Sequence, residues 1–162
     1  MSPAPLELIA LAALAPDEAS AIASTLVSMD PWRALGYGAE VLEGTLVRPH
    51  PDLTRYLAQR NGETLGLAVV RHPWLRGAYI ELFAVLPGAQ GQGLGKALLN
   101  HIEAVHRGRT GNLWLLASGF NLRARRFYAA QGFVEIGPIP NLVVAGEDEI
   151  LMRKVLTGAP RD

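Results

Sequence analysis

Apolar residues along this chain follow two repeating patterns, and the first of them predicts strands. Short runs that alternate apolar and polar residues, or that are continuously apolar, are bounded by glycine, proline and asparagine. Between two such runs lies Asn61-Gly62, a dipeptide typical of a tight β-hairpin turn. The predicted strands cover residues 6–11, 52–59, 64–71, 78–86, 112–117, 133–136 and 149–155.

The second pattern, with apolar residues three and four positions apart, predicts helices. The last of them has Asn121 at the position of an N-cap and Gly132 just beyond its end. The predicted helices cover residues 19–27, 39–47, 94–105 and 122–131. Proline and glycine mark loops at 30–38, 137–141 and 145–146 and a turn at 73–77.

These elements follow one another in the order β-α-α-β-β-β-α-β-α-β-β. Such an order predicts a mixed sheet with helices packed on its faces, in the α/β or α+β class. The length of 162 residues fits a single domain covering 1–162, and 49% of the residues are hydrophobic, enough for a sizeable core.

The charges of the chain balance. It carries 15 Lys and Arg residues and 15 Asp and Glu residues, so its net charge is zero, without the excess of positive charge typical of proteins that bind nucleic acid. At most a local basic rim is expected, formed by Arg107, Arg109, Arg123, Arg125 and Arg126. We therefore expect no nucleic-acid partner.

The chain has no cysteine, which excludes disulfide bonds and a thiolate nucleophile. Its four histidines lack the i, i+4 spacing of a helical zinc site, so we expect no metal. No apolar stretch approaches the roughly 18 residues that a membrane span needs, so we expect no membrane association. These features together favour a cytoplasmic protein.

A glycine-rich run lies between the strand predicted at 78–86 and the helix predicted at 94–105. Glycines let the main chain approach a ligand closely, and the first N–H groups of a helix have no partner within the helix. The run therefore indicates a phosphate site, although a tight turn before a helix would give the same pattern. Its residues are Gln90, Gly91, Gln92, Gly93, Leu94, Gly95 and Lys96.

Two common phosphate-binding patterns do not match this run. A Walker loop needs glycine where Gln90 stands and Ser or Thr where Ala97 stands. The dinucleotide fingerprint needs Gly-x-Gly-x-x-Gly, whereas Gly91, Gly93 and Gly95 are two residues apart. Both nucleotide patterns are therefore excluded.

The run instead resembles the acyl-CoA-binding motif of the GNAT superfamily of N-acetyltransferases, Gln/Arg-x-x-Gly-x-Gly/Ala, through Gln90, Gly93 and Gly95. Two further segments resemble that superfamily in the same order. Residues 81–87 are similar to its fourth strand, and residues 121–133 to its Asn…Phe-Tyr…Gly-Phe segment. The resemblance implies a mixed, mostly antiparallel central sheet flanked by helices, with acetyl-CoA as the acyl donor.

The resemblance implies that three parts of the chain bind acetyl-CoA. Backbone N–H groups of the glycine-rich run would hold the pyrophosphate, and Lys96 would add charge or simply be a solvated helix residue. The backbone of Phe83, Ala84 and Val85 would pair with the pantetheine as an extra strand does. Asn121 would contact the cofactor, cap its helix, or do both.

The resemblance also implies two catalytic residues. An amine must lose its proton before it attacks a thioester, and Glu81 on the fourth strand is the candidate base. The alternatives for Glu81 are a carboxylate that anchors the substrate's cation and a solvated residue. Tyr128 matches the superfamily's general-acid tyrosine, which protonates the departing thiolate, and its alternative is core packing beside Phe127.

The acceptor pocket is expected to include Trp32, Tyr37 and the loop 137–141, by resemblance to where the superfamily builds it. Both aromatic residues could instead seal the core. N-terminal protein acetyltransferases of the superfamily often have a tyrosine between the last two strands, and no tyrosine follows Tyr128 here. This difference disfavours a protein N-terminus as the acceptor.

We therefore expect an acetyl-CoA-dependent N-acetyltransferase that works by direct attack of a primary amine, on a small molecule. The enzyme alternative is a protein or ribosomal-protein N-acetyltransferase, and the non-enzyme alternative is a CoA-binding regulatory domain. Dimers are common in the superfamily, so a homodimer is compatible with the resemblance.

Overall fold

The computed structural model describes residues 2–158, which form four helices and seven strands in the predicted order. The elements are β1 Glu7–Leu11, α1 Pro16–Leu26, α2 Ala39–Val47, β2 Leu53–Arg60, β3 Glu63–Trp74, β4 Gly77–Val85, α3 Leu94–His106, β5 Asn112–Ser118, α4 Leu122–Ala130, β6 Val134–Pro140 and β7 Asp148–Val155.

All seven strands belong to one sheet, in the order β1-β2-β3-β4-β5-β7-β6. Neighbouring strands are antiparallel except β4 and β5, which are parallel because α3 connects them. The predicted mixed, mostly antiparallel sheet of an α+β protein is therefore confirmed.

Two hydrophobic cores lie on opposite faces of the sheet. The α1–α2 core packs the first two helices against β2, β3 and the second half of β4; its fully buried members include Leu26, Leu46, Leu57 and Leu67. The α3–α4 core packs the other two helices against the centre of the sheet; its fully buried members include Leu98, Ile102, Leu113 and Met152.

A bulge in β4 changes which face of the sheet its residues occupy. Val69 of β3 lies opposite Leu82, and Val70 lies opposite Ile80, so no residue of β3 lies directly opposite Glu81 in the strand register. Before the bulge Ile80 points into the α3–α4 core, and after it Leu82 points into the α1–α2 core. Glu81 therefore sits at a position that the regular alternation of a strand would not provide.

The parallel strands β4 and β5 touch at one end and separate at the other. Among the described residues they pair only through Ala78, Tyr79 and Ile80, which lie opposite residues 113–115. Close approach at the paired end requires Gly77, because a Cβ there would lie 2.4 Å from the carbonyl oxygen of Asn112. Beyond Ile80 the strands leave a gap in the middle of the sheet.

A buried arginine fixes α2 to the sheet. The guanidinium of Arg55 on β2 donates hydrogen bonds to the carbonyl oxygens of Ala12 (2.5 Å), Thr45 (2.6 Å) and Arg48 (2.7 Å). Two of these acceptors lie at the C-terminal end of α2, where carbonyl groups lack helical partners and favour a cation. Burial lowers the pKa of Arg55, and the carbonyl acceptors compensate its charge.

Two predicted loops are wrong in their extent. The loop expected at 137–141 is strand as far as Pro140, because β6 lies at the edge of the sheet, where a proline does not have to donate a ladder hydrogen bond. The turn expected at 73–77 is reduced to Leu75 and Arg76, both with positive φ, because β3 continues to Trp74. Local composition predicted loops at these positions, but hydrogen bonding to a neighbouring strand makes them part of the sheet.

Candidate active site

The gap between β4 and β5 opens into a cavity of about 500 Å³. Its wall combines the loop before α2, the second half of β4, the glycine-rich run, the end of β5, the first turns of α4 and the start of β7. Of the predicted site residues, all except Gln92 and the loop 137–141 line this cavity. The structure therefore brings together segments from Met29 to Glu149.

The glycine-rich run leaves space beside its backbone. Gly91 and Gly93 have φ of +77° and +76°, a left-handed conformation that favours glycine, and a Cβ at either would meet no atom within 4 Å. Gly93 is the N-cap of α3, so the first N–H groups of that helix face the same region. The side chains of Gln90 and Gln92 brace the run by donating to the carbonyl oxygens of residues 85 and 88.

Gly95 has a packing role as well. A Cβ at this position would lie 3.3 Å from Cζ of Phe127 and 3.4 Å from Cγ2 of Val85. The absence of a side chain lets α3 approach both α4 and β4 closely. This packing positions the N-terminus of α3 at the gap, in addition to the cofactor contact that the sequence predicts for Gly95.

Backbone groups of β4 face the gap at alternate residues. Leu86 donates its N–H to the carbonyl of Leu65 on β3 at 2.8 Å, so Leu86 and Ala84 use their backbone groups on the β3 side. Phe83 and Val85 then present theirs to the opposite side, where β5 has moved away. The carbonyl oxygen of Val85 accepts from Gln90, which leaves its N–H directed at the gap.

Helix α4 supplies Asn121 and Tyr128. Oδ1 of Asn121 accepts a hydrogen bond from the N–H of Ala124 at 3.2 Å, which confirms the predicted N-cap. Tyr128 is buried against Phe83, Phe127 and Phe133, with ring centroids 5.4 to 6.0 Å apart. Burial raises the pKa of Tyr128, so its phenol stays protonated at neutral pH where it lines the cavity.

The loop between α1 and α2 forms the opposite wall. Trp32 and Tyr37 line the cavity and also pack against the α1–α2 core, and their contact with an acceptor stays a prediction. The β6–β7 connection reaches the cavity through Val143, whereas no residue of the predicted pocket loop 137–141 lines it. β6 keeps these residues paired with β7, and their part in an acceptor pocket stays an untested prediction.

Glu81 lines the cavity as an ion-paired residue. Its Oε1 lies 2.5 Å from Nε of Arg71 on β3, and the two side chains are 22% and 30% exposed. Because Arg71 compensates the charge of Glu81, this carboxylate already has a cation beside it in the folded protein.

A second carboxylate, Glu149, was missed by the sequence reasoning. It is 5% exposed, lines the cavity, and accepts a 2.8 Å hydrogen bond from Oγ of Ser118. Burial raises the pKa of Glu149, the hydrogen bond from Ser118 lowers it, and the charge of Glu147 raises it further. The acidic segment before β7 resembles a solvated strand end; only the register that pairs β5 with β7 places Glu149 opposite Ser118.

The arginines expected to form a basic rim are dispersed. Arg125 pairs with Glu135 at 2.8 Å and Arg107 pairs with Glu103, while Arg123 lines the cavity together with Lys96. Two cations therefore border the cavity, on the same elements as the glycine-rich run and Asn121.

None of the helices within residues 2–158 is both long and apolar enough to cross a bilayer. In the same range no three His, Asp or Glu side chains converge as ligands of a metal ion would. A homodimer and a cytoplasmic location stay predictions from the sequence.

The chain belongs to the Acetyltransferase (GNAT) family, whose model matches residues 21–133. Streptothricin acetyltransferase of Streptomyces lavendulae is 34% identical over 79 residues, which are 48% of this chain and 42% of that protein. The aligned segment thus spans less than half the length of this relative.

Two solved structures share the fold. The ribosomal-protein-S18-alanine N-acetyltransferase from Escherichia coli matches with a TM-score of 0.74 and 22% identity, over 96% of this chain and 98% of that one. A GNAT family acetyltransferase from Elizabethkingia anophelis with acetyl-CoA bound matches with a TM-score of 0.66 and 19% identity, over 93% and 98% of the two chains. At these identities the likeness concerns the fold alone.

Proposed function

We propose that this protein is an N-acetyltransferase that moves the acetyl group of acetyl-CoA to a primary amine of a small molecule by direct attack. The observation that carries the proposal is the junction of three features in one cavity. These features are the N-terminus of α3 with its glycine-rich run, the β4 backbone left without a partner strand, and the buried phenol of Tyr128.

The donor half of the cavity fits acetyl-CoA by its shape and charge. The open space beside Gly91 and Gly93, which a side chain would fill, admits a phosphate close to backbone N–H groups. Lys96 and Arg123 add positive charge for a pyrophosphate. The acetyl-CoA bound by the Elizabethkingia anophelis protein of the same fold supports the same donor here.

The gap beside β4 suits the pantetheine arm. The backbone groups of Phe83 and Val85 that face the gap would pair with its amides as a neighbouring strand would. The backbone groups of Ala84 bond to β3, so Ala84 would line the cavity without donating or accepting a hydrogen bond to the pantetheine arm. Asn121, held as the cap of α4, would meet the donor from the other side.

Tyr128 is proposed as the group that stabilises the departing thiolate. Its phenol keeps its proton because burial raises its pKa, so it can donate a hydrogen bond as negative charge develops on sulfur. Complete proton transfer is not required for this stabilisation to lower the barrier. Tyr128 would thus donate a hydrogen bond to the sulfur of the thioester. A separate base is needed to take a proton from the attacking amine.

A small-molecule acceptor is supported by the size of the cavity and by one relative. A volume of about 500 Å³ is typical of small-molecule sites, although the donor's acyl end shares it. The relative from Streptomyces lavendulae acts on streptothricin, whereas the ribosomal-protein-S18-alanine enzyme shares only the fold. Trp32 and Tyr37 would then form the aromatic wall of the acceptor side.

Calorimetry with acetyl-CoA tests the donor. We expect binding in the micromolar range, which is ordinary for a substrate of this kind. Release of free thiol is then measured with streptothricin, simple diamines, an aminoglycoside and a peptide with a free N-terminus. Turnover of the peptide alone would support the protein acetyltransferase alternative. Binding without thiol release for any amine would support the regulatory alternative, and absence of binding would contradict both.

A further inference from the structure

We propose that the reacting ammonium group of the acceptor binds at Glu149 and gives its proton to that carboxylate rather than to Glu81. The proposal rests on the proposed function and names a residue that the sequence reasoning missed. It defines an acceptor subsite formed by Glu149, Ser118, Tyr37 and Tyr79, and the substrate class that this subsite takes is a primary amine in its cationic form.

Strand alternation places Glu149 on the acceptor side of the sheet. Its neighbours Ile150 and Met152 belong to the α3–α4 core, so Glu149 points to the other face. Ser118 does the same, because Ala117 before it lies in the α3–α4 core. The hydrogen bond between Glu149 and Ser118 therefore lies on the side of the cavity that the α1–α2 loop covers.

The two carboxylates of the cavity differ in their partners. Glu81 has the guanidinium of Arg71 at 2.5 Å. Within residues 2–158, Glu149 accepts its one side-chain hydrogen bond from a neutral hydroxyl, and no cation lies within 4 Å of it. A buried carboxylate without a counter-ion is costly unless something compensates it. A substrate ammonium is the partner that the cavity can admit.

The groups around Glu149 are neutral or negative. Burial raises the pKa of Tyr37 and of Tyr79, and the charge of Glu149 raises both further. Glu81 acts on Tyr79 in the same direction, and Glu147 acts on Glu149 itself from the strand end. On β6 the residue opposite is the uncharged Ile139. This field attracts a cation, and the raised pKa of Glu149 makes its carboxylate a better proton acceptor for the bound ammonium than a solvated carboxylate would be.

The proposed step balances in atoms and charge. An N–H bond of the ammonium breaks, and its proton moves to a carboxylate oxygen of Glu149. The nitrogen lone pair forms a bond to the acetyl carbon, the C–S bond breaks with its electrons on sulfur, and the nitrogen loses a second proton to solvent. Sulfur takes a proton from Tyr128, which regains one from solvent, and Glu149 returns its proton to solvent. Ammonium and thioester thus give amide, thiol and one proton.

The first experiment compares Glu149→Gln with Glu147→Gln, which removes the same charge from an exposed position on the same segment. With streptothricin or 1,5-diaminopentane as the amine, we expect Glu149→Gln to lower kcat/KM on the order of 100-fold. The acidic limb of its pH profile should disappear, and the affinity for acetyl-CoA, measured by calorimetry, should stay within about twofold. Glu147→Gln should keep the activity and an acidic limb, moved only toward lower pH because the charge of Glu147 no longer raises the pKa of Glu149. A Glu149→Gln enzyme with normal activity and an intact acidic limb would overturn the proposal.

Ser118→Ala gives a second, independent readout. The hydroxyl of Ser118 lowers the pKa of Glu149 by donating to its charged form, so removing the hydroxyl raises that pKa. The acidic limb should therefore move to higher pH while most of the activity at alkaline pH remains. Glu81→Gln should leave the position of the limb unchanged. An acidic limb that moves or disappears in Glu81→Gln and stays unchanged in Ser118→Ala would contradict the proposal.

Binding separates this proposal from the proposed function. If the wild type binds acetyl-CoA but acetylates no amine, the proposed function fails, and the subsite is still decided by calorimetry with 1,5-diaminopentane in the presence of CoA. We expect Glu149→Gln to weaken this binding about 10-fold or more, because one partner of a buried charge pair is lost. The neutral 1,5-pentanediol should bind both forms equally. Equal binding of the diamine to both forms would overturn the proposal even then.

Discussion

The sides of the cavity that we propose for the donor and for the acceptor, called the donor side and the acceptor side, are built in different ways. The donor side comes from one continuous stretch, β4 to α4, and it offers mainly backbone groups: helix N–H groups, an unpaired strand and left-handed glycines. The acceptor side comes from segments more than 100 residues apart, and it offers side chains: Trp32, Tyr37, Ser118 and Glu149. The difference teaches that a donor shared by many enzymes can be held by the chain's backbone, whereas an acceptor is selected by side chains.

Replacing Arg55, which holds α2 beside the acceptor side, is expected to have the largest effect of the variants considered. We expect a loss of stability without a change in how the folded molecules bind acetyl-CoA. Arg55→Leu leaves the carbonyls of Ala12, Thr45 and Arg48 without the buried donor that they share, at about 1 to 3 kcal/mol for each carbonyl that water does not reach. We expect the free energy of unfolding, measured with urea, to fall by about 3 kcal/mol or more. Molecules that stay folded should bind acetyl-CoA normally.

The control for Arg55 is Arg33→Leu. The side chain of Arg33 is 65% exposed and pairs with Asp30 on the surface, an arrangement that contributes less than about 1 kcal/mol. Equal losses of stability in the two variants would show that the carbonyl contacts of Arg55 do not hold α2 to the sheet.

Tyr128→Phe sharpens the comparison from the donor side. Removing one hydroxyl should lower kcat on the order of 100-fold, because the departing sulfur loses its donor. The affinity for acetyl-CoA should stay nearly constant, since the hydroxyl of Tyr128 is not among the groups proposed to bind acetyl-CoA before the reaction. A parallel Phe127→Leu variant tests packing beside it; if both variants lower kcat equally, packing rather than donation explains Tyr128.

Two glycine variants impose the same backbone strain on the two sides. Gly93 and Gly36 have φ of +76° and +73°, and a Cβ at either meets nothing within 4 Å. Valine at such a φ costs about 1 to 3 kcal/mol. Gly93→Val should weaken acetyl-CoA binding roughly 10-fold or more, while Gly36→Val, in the α1–α2 loop, should raise KM for the amine and leave the acetyl-CoA affinity unchanged.

The smallest expected effect is a gain of stability in Glu149→Gln. Burial raises the pKa of Glu149 in the folded state above its unfolded value, so folding favours the protonated form and the ionised form weakens the fold. The variant should therefore unfold at a higher temperature than the wild type at pH 8. The gain should shrink as the pH falls through the folded-state pKa of Glu149. It should be much smaller in Glu147→Gln, which keeps the buried carboxylate and removes only its repulsion by an exposed charge.

The features that the sequence predicts correctly are mostly local ones on the donor side, and the features that it misses depend on contacts between distant segments. Gln90 to Lys96, the strand before them and the N-cap Asn121 were recognisable because their roles depend on local order and backbone conformation. Glu149 was not, because its role depends on the strand register that pairs it with Ser118. The salt bridge of Glu81 with Arg71 also required the pairing of β3 with β4. The strand at 137–140 was missed because an edge position tolerates the prolines that otherwise indicate a loop.

Because β4 and β5 pair over only a short stretch, the proposed ligand would take the place of a missing strand neighbour in the sheet. Beyond Ile80 the strands β4 and β5 do not pair, and a bound pantetheine arm would supply the hydrogen bonds that a neighbouring strand would make there. A ligand that binds the folded chain alone stabilises it by an amount that grows with the logarithm of its concentration, about 2.7 kcal/mol at a hundred times Kd. The melting temperature of this protein should therefore report the supply of acetyl-CoA around it.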